Sequence, residues 1–212
     1  KEENIISQLR ITQKGSKRLI SILKNELDKQ NGIQKVIIAL SILSQNDYII
    51  NQFVNLSTHL PSICDRLIAV AMSSTKCDIY NQKSLIVIFD LINQSDKLKS
   101  QLCMSIQENI LCSIEQKTIQ NSLLPKTMEI LVSCVTHHQE NRTFFIKNTS
   151  KEKISAVFNL AKSTGNTMVQ IFSVEFLWRV AIPMKMSNEE RNTIFGKYTQ
   201  QLFDIRAESF RE

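Results

Sequence analysis

Cys134, His137 and His138 come closest to a reactive cluster in this chain. A thiolate and an imidazole at i,i+4 on one helix face can both reach a metal ion, and Cys134 and His138 have that spacing. A structural zinc site, however, needs about four ligands, and no second pair stands at zinc spacing. The expectation is therefore a buried thiol beside two surface imidazoles, with no metal and no cofactor. His59 precedes Pro61 in an expected turn and has no identifiable partner. GxSxG, HExxH, GxGxxG and P-loop signatures are all missing, so hydrolase and nucleotide-binding chemistry lack support. A chain without enzymatic activity is expected.

Charge is the next source of chemistry. Lys14, Lys17, Arg18 and Lys24 fall at spacings that place cations along one N-terminal helix, as a phosphate-contacting surface requires. The aromatics that a single-strand binder interleaves with its cations are missing there, so solvated helix faces explain them more simply. Overall, 26 Lys and Arg against 20 Asp and Glu give a formal charge of +6. No block of five like charges occurs, so DNA or chromatin binding through this surface is the alternative and not the first reading.

These side chains need a scaffold, and composition restricts what it can be. The chain has 212 residues, 42% of them hydrophobic, with four glycines and three prolines. So few turn formers suit neither a β-sandwich nor glycine-lined nucleotide loops, and an all-α chain is expected. No apolar run is long enough to span a membrane, so no membrane partner is expected. Five scattered cysteines without CxxC spacing suit free thiols in a reducing compartment. The chain is expected to be a single domain over 1–212, the N-terminal part of a longer protein.

Breakers at Gly15, Asn31-Gly32, Thr58–Pro61, Ser73–Thr75, Asn93–Asp96, Pro125, Gln139–Asn141, Asn148–Ser150, Gly165-Asn166 and Pro183–Ser187 bound some ten or eleven expected helices. Thr149 with Glu152, and Ser187 with Glu190, read as capping boxes. Residues 170–181, QIFSVEFLWRVA, are apolar nearly all round, with charge confined to Glu175 and Arg179 at i,i+4. Such a helix is expected to be enclosed by others, with Trp178 in the core. KVIIALSIL (35–43), KSLIVIFDL (83–91) and KTMEILVSC (126–134) begin alike at offsets of 48 and 43 residues, and LWRV (177–180) adds a fourth copy.

That period resembles armadillo and HEAT repeats, which stack into a helical solenoid with inner helices apolar on several sides. Residues 138–181 resemble an armadillo succession of turn, short helix, outer helix, turn and inner helix, and 44–74 resemble a weaker one. Armadillo nuclear-import adaptors hold peptides with a ladder of asparagines and tryptophans. At the asparagine positions this chain has Ile42, Asp90, Ser133 and Arg179, and at the tryptophan positions Ile38, Ile86, Glu129 and Glu175. The departure speaks against nuclear-signal binding of that type. Asp90, Ser133, Glu175 and Arg179 are the expected partner-binding residues of the groove, and pairing within the chain is the simpler role for its carboxylates.

A narrower resemblance lies in NELDKQNGIQKV (25–36), LINQSDKLKSQL (91–102), NSLLPKTMEIL (121–131), VQIFSVEFLWRVA (169–181), EERNTIF (189–195) and DIRAESFRE (204–212). In that order they are similar to the N-terminal armadillo-like domain of the synaptonemal complex protein 2 family, of the meiotic chromosome axis. The spacing between the first and third repeats is shorter than in that family. The resemblance implies a protein-recruitment scaffold in the nucleus, on chromosomes, whose partners are chromosome axis, cohesin or centromere components.

Overall fold

The computed structural model describes residues 12–27, 29, 32–46, 48–51, 60–72 and 78–181. Every regular element among these residues is helical, as the scarcity of glycine and proline predicts. The chain divides into two compact units, Lys1–Ile106 and Gln107–Glu212.

The first unit holds α1 (Gln13–Leu27), α2 (Gly32–Leu43), α3 (Leu60–Met72) and α4 (Asp78–Gln94), and a helical turn covers 48–51. A fifth helix, α5 (Asp96–Glu115), begins in the first unit and ends in the second. In α1, Ser16, Ile20 and Leu23 form the buried stripe at i, i+4 and i+7. Gly15 does not break the chain as expected. It sits in the first turn of α1, where its N–H has no helical acceptor and is instead taken by the Thr12 hydroxyl at 3.2 Å. Gly32 opens α2, where a Cβ would stand 1.5 Å from the Glu26 carbonyl oxygen. Helix α2 packs on α4 and buries Val36, Ile37 and Leu40, and α4 also packs on α3. The break expected over Asn93–Asp96 shrinks to Ser95, whose hydroxyl caps α5 by accepting from the Leu98 N–H at 3.4 Å.

The second unit continues with α6 (Leu124–Val135), α7 (Gln139–Asn148), α8 (Lys151–Ser163) and α9 (Thr167–Ala181). The expected order of short helix, longer helix, turn and helix over 138–181 is present. Its cap is one residue off: Ser150, not Thr149, accepts from the Lys153 N–H at 3.3 Å, while Thr149 closes α7. Asn166 caps α9, accepting from the Val169 N–H at 3.2 Å. Helix α9 packs on α6 and α8, and Phe176 meets Phe145 of α7 edge to face, with ring centroids 4.9 Å apart at 86°. Each such fully buried side chain contributes about 1.5–3 kcal/mol.

Helix α9 is less enclosed than its sequence predicts. Val169, Ser173, Val174, Phe176, Leu177 and Val180 are buried, but Trp178 is only half-buried and Ile171 is exposed. Ser173 lies inside the buried face because its hydroxyl donates to the Val169 carbonyl at 2.6 Å. The second expected capping box, Ser187 with Glu190, lies outside the described residues, as do His59 and Cys77.

Candidate functional site

The Cys–His cluster does not assemble. Helix α6 ends at Val135, with Thr136 in extended conformation and His137 at φ 54°, so His138 has left the face that carries Cys134. His138 is instead the N-cap of α7, its Nδ1 accepting from the Asn141 N–H at 3.3 Å. Cys134 is fully buried, and its carbonyl accepts from the Asn141 carboxamide at 2.8 Å. Cys64, Cys103, Cys112 and Cys134 are all free thiols. Burial, with a smaller push from Asp65, drives the Cys64 thiol up to about 12.

The repeat-aligned positions of the inner helices are the surface that the sequence singles out. In the first unit three of them are aliphatic and open: Ile38 and Ile42 on α2 and Ile86 on α4 are 41%, 45% and 46% exposed. Ile38 and Ile42 stand one turn apart on one face, and the ends of α2 and α4 are tied together. The tie is Asp90, half-buried, which accepts from the Ser44 hydroxyl at 3.2 Å, while the Gln94 carboxamide donates to the Ser44 carbonyl. Asp90 thus has a structural partner, whereas Ile38, Ile42 and Ile86 are open.

In the second unit the same positions are polar. Glu129 pairs with Lys126 at 2.8 Å and Glu175 with Arg179 at 2.7 Å, each within its own helix, and Ser133 is half-buried. The Glu175–Arg179 contact is ionic, since Arg179 Nε makes no well-directed hydrogen bond. Arg142 Nε donates to the Val135 carbonyl at 2.7 Å. Burial, and the nearby positive charge of Arg179, lower the Arg142 pKa.

Lys14, Lys17, Arg18 and Lys24 are all exposed on α1, within an arc of about 120° at 3.6 residues per turn. They make no ion pair among the described residues, whereas Glu26 near the helix end is engaged by Lys29 and Lys35, which lower its pKa.

One further feature has no signature in the sequence. In the second unit a cavity of about 660 Å³ opens where the end of α5 and the loop after it face α8. It shares Asn121, Leu124, Leu160 and Ser163 with a second cavity, of about 460 Å³, that reaches the turn at 164–166. Nearby, Lys153 donates to the Glu108 carboxylate, which also accepts from the Cys112 thiol at 3.4 Å.

Among the described residues no three His, Cys, Asp or Glu side chains converge as metal ligands, and no helix is long and apolar enough to cross a membrane. Comparison with protein-family models, curated proteins and solved structures gives no match to this chain.

Proposed function

We propose that this chain is a non-enzymatic protein-binding scaffold, an armadillo/HEAT-like helical solenoid whose inner-helix face takes a partner protein. The observation that carries this reading is the exposure of Ile38, Ile42 and Ile86 at repeat-aligned positions of two helices that pack on each other. Isolated exposed aliphatics are ordinary; three at corresponding positions of a repeat suit a binding face. Asp90, one turn along α4 from Ile86, is held by Ser44 and ties the end of α2 to α4. The setting at the meiotic chromosome axis, as a recruitment module of the synaptonemal complex lateral element, rests on the resemblance of the sequence segments alone. It implies chromosome axis, cohesin or centromere proteins as partners.

The test is retention of proteins from nuclease-treated germ-cell nuclear extract on the purified chain, read by mass spectrometry, with I86D as the control surface. Axis proteins held by the wild type and lost on I86D support the proposal. Equal retention by both removes the inner-helix face, and retention of no axis protein removes the meiotic setting.

The basic face of α1 favours a second reading, direct DNA or chromatin binding. Four phosphate contacts give a salt slope of about −3.6, so DNA affinity would fall over a hundredfold between about 50 and 200 mM salt. A flat salt response would eliminate this reading.

A further inference from the structure

We infer that the trough between the α5–α6 connection and α8 is a second binding site, for an extended peptide segment carrying a lysine or arginine beside an aliphatic residue. This site lies wholly within the second unit and shares no residue with the inner-helix face. Its two cavities, about 660 and 460 Å³, are continuous through four shared residues. Their overlap makes one open trough and not a closed chamber for one small molecule.

The lining assigns the parts of the peptide. Ile114, Ile119, Leu124 and Leu160 form an aliphatic floor, which takes apolar side chains. Asn121 and Asn159 are exposed along it. A carboxamide both donates and accepts, so each can pair with a peptide unit whatever its sequence. Among the lining residues of the larger cavity Glu115 and Glu152 contribute two exposed carboxylates against the ammonium of Lys117, with Lys151 next to Glu152 outside the lining. The excess within the lining is negative on a chain whose formal charge is +6, so a basic side chain is drawn to this cavity. Its own backbone N–H and the Ser150 hydroxyl hold the Glu152 carboxyl below its ordinary value.

The experiment pans a phage-displayed library of random 12-residue peptides on the full 212-residue chain. Enriched peptides are then made with a fluorescein label and measured by anisotropy. The expected result is enrichment of Lys or Arg next to Leu, Ile, Val or Met. Affinity should fall at least tenfold in E115K/E152K and in N159W, which fills the trough from an exposed position, and should be unchanged in I86D. If the charge reversal alters the thermal melt, N159W decides, since it keeps the charge. No enrichment, enrichment of acidic peptides, or affinity unaffected by both trough variants would overturn the site. Loss in I86D alone would place the peptides on the inner-helix face instead.

Discussion

The two units bury different residues and expose different residues. The largest fully buried side chains of the first are aliphatic, among them Ile37, Leu40, Ile49 and Leu67, and three of its four repeat-aligned positions are again isoleucines, the fourth being Asp90. The second packs Phe145, Phe158 and Phe176 inside and carries charges at three of the four corresponding positions, Glu129 paired with Lys126 and Glu175 with Arg179, beside the uncharged Ser133. The same helical register therefore leaves an open aliphatic face in one unit and a face of internally paired charges in the other. A face whose charges already have partners gives up little on meeting water and gains little on leaving it. Exposed isoleucines gain from any partner that covers them, at roughly 25 cal/mol per Å².

Breaking the aromatic core gives the largest effect. Phe176→Ala removes one ring of the edge-to-face pair and leaves a cavity that helix-bound neighbours cannot close, costing about 3–5 kcal/mol. Urea unfolding followed by the fluorescence of Trp178, the one tryptophan in the chain and a member of the second unit, measures it. Leu40→Ala in the first unit should cost about 2–5 kcal/mol by circular dichroism. A loss below about 1 kcal/mol in Phe176→Ala would mean that the second unit repacks freely.

Next come the two glycines, alike in sequence and different in place. Gly32→Ala drives a methyl into the Glu26 carbonyl, backbone against backbone, so α1 and α2 must part; roughly 2 kcal/mol or more is expected. Gly165→Ala meets nothing within 4 Å and should stay within about 0.5 kcal/mol of the wild type. Thermal melts of both rank them, and equal losses would contradict the tight α1–α2 turn.

The contrast between the faces is sharpened by binding. With an axis partner recovered from nuclear extract, Ile86→Asp should weaken affinity at least tenfold, about 1.4 kcal/mol, by calorimetry. Glu175→Ala should change it less than threefold. The reverse order would transfer the partner to the charged face. Both positions are partly exposed, so the melting temperature should move by no more than about 2 °C.

Helix type and most helix breaks, Gly165-Asn166 among them, were legible because they depend on local signals, apolar period and sparse glycine, whereas the cap expected at Thr149 fell one residue early. Pairing of Glu175 with Arg179 was legible for the same reason, at i,i+4. What failed depended on one residue of backbone. His137 in left-handed conformation rotates His138 off the face of Cys134, and no spacing rule anticipates it. The isoleucines were visible as repeat positions but not as open ones, since exposure depends on how α2 and α4 pack. The trough was invisible, because its walls come from a connection and a helix about 35 residues apart, and loop geometry sets their distance.

The smallest effect tests whether the second unit's charges really are satisfied internally. Lys153 of α8 is mostly covered and bonds the Glu108 carboxylate of α5, which itself is 51% exposed. That bond lowers the Glu108 pKa and raises that of Lys153. The depressed acid contributes stability above its unfolded pKa of about 4.3 and loses it as pH falls through the folded value. The raised base contributes below about 10.4 and loses its share as pH rises through the folded value. Between these limits the pair is constant, and solvent screening holds it to about 0.5 kcal/mol. Glu108→Gln should therefore lower the urea midpoint slightly at pH 7, and the difference from the wild type should shrink by pH 3, below the unfolded carboxyl value of about 4.3. A difference that persists undiminished at pH 3 would mean that Glu108 acts through its packing and its hydrogen bond from Cys112, and not through its charge.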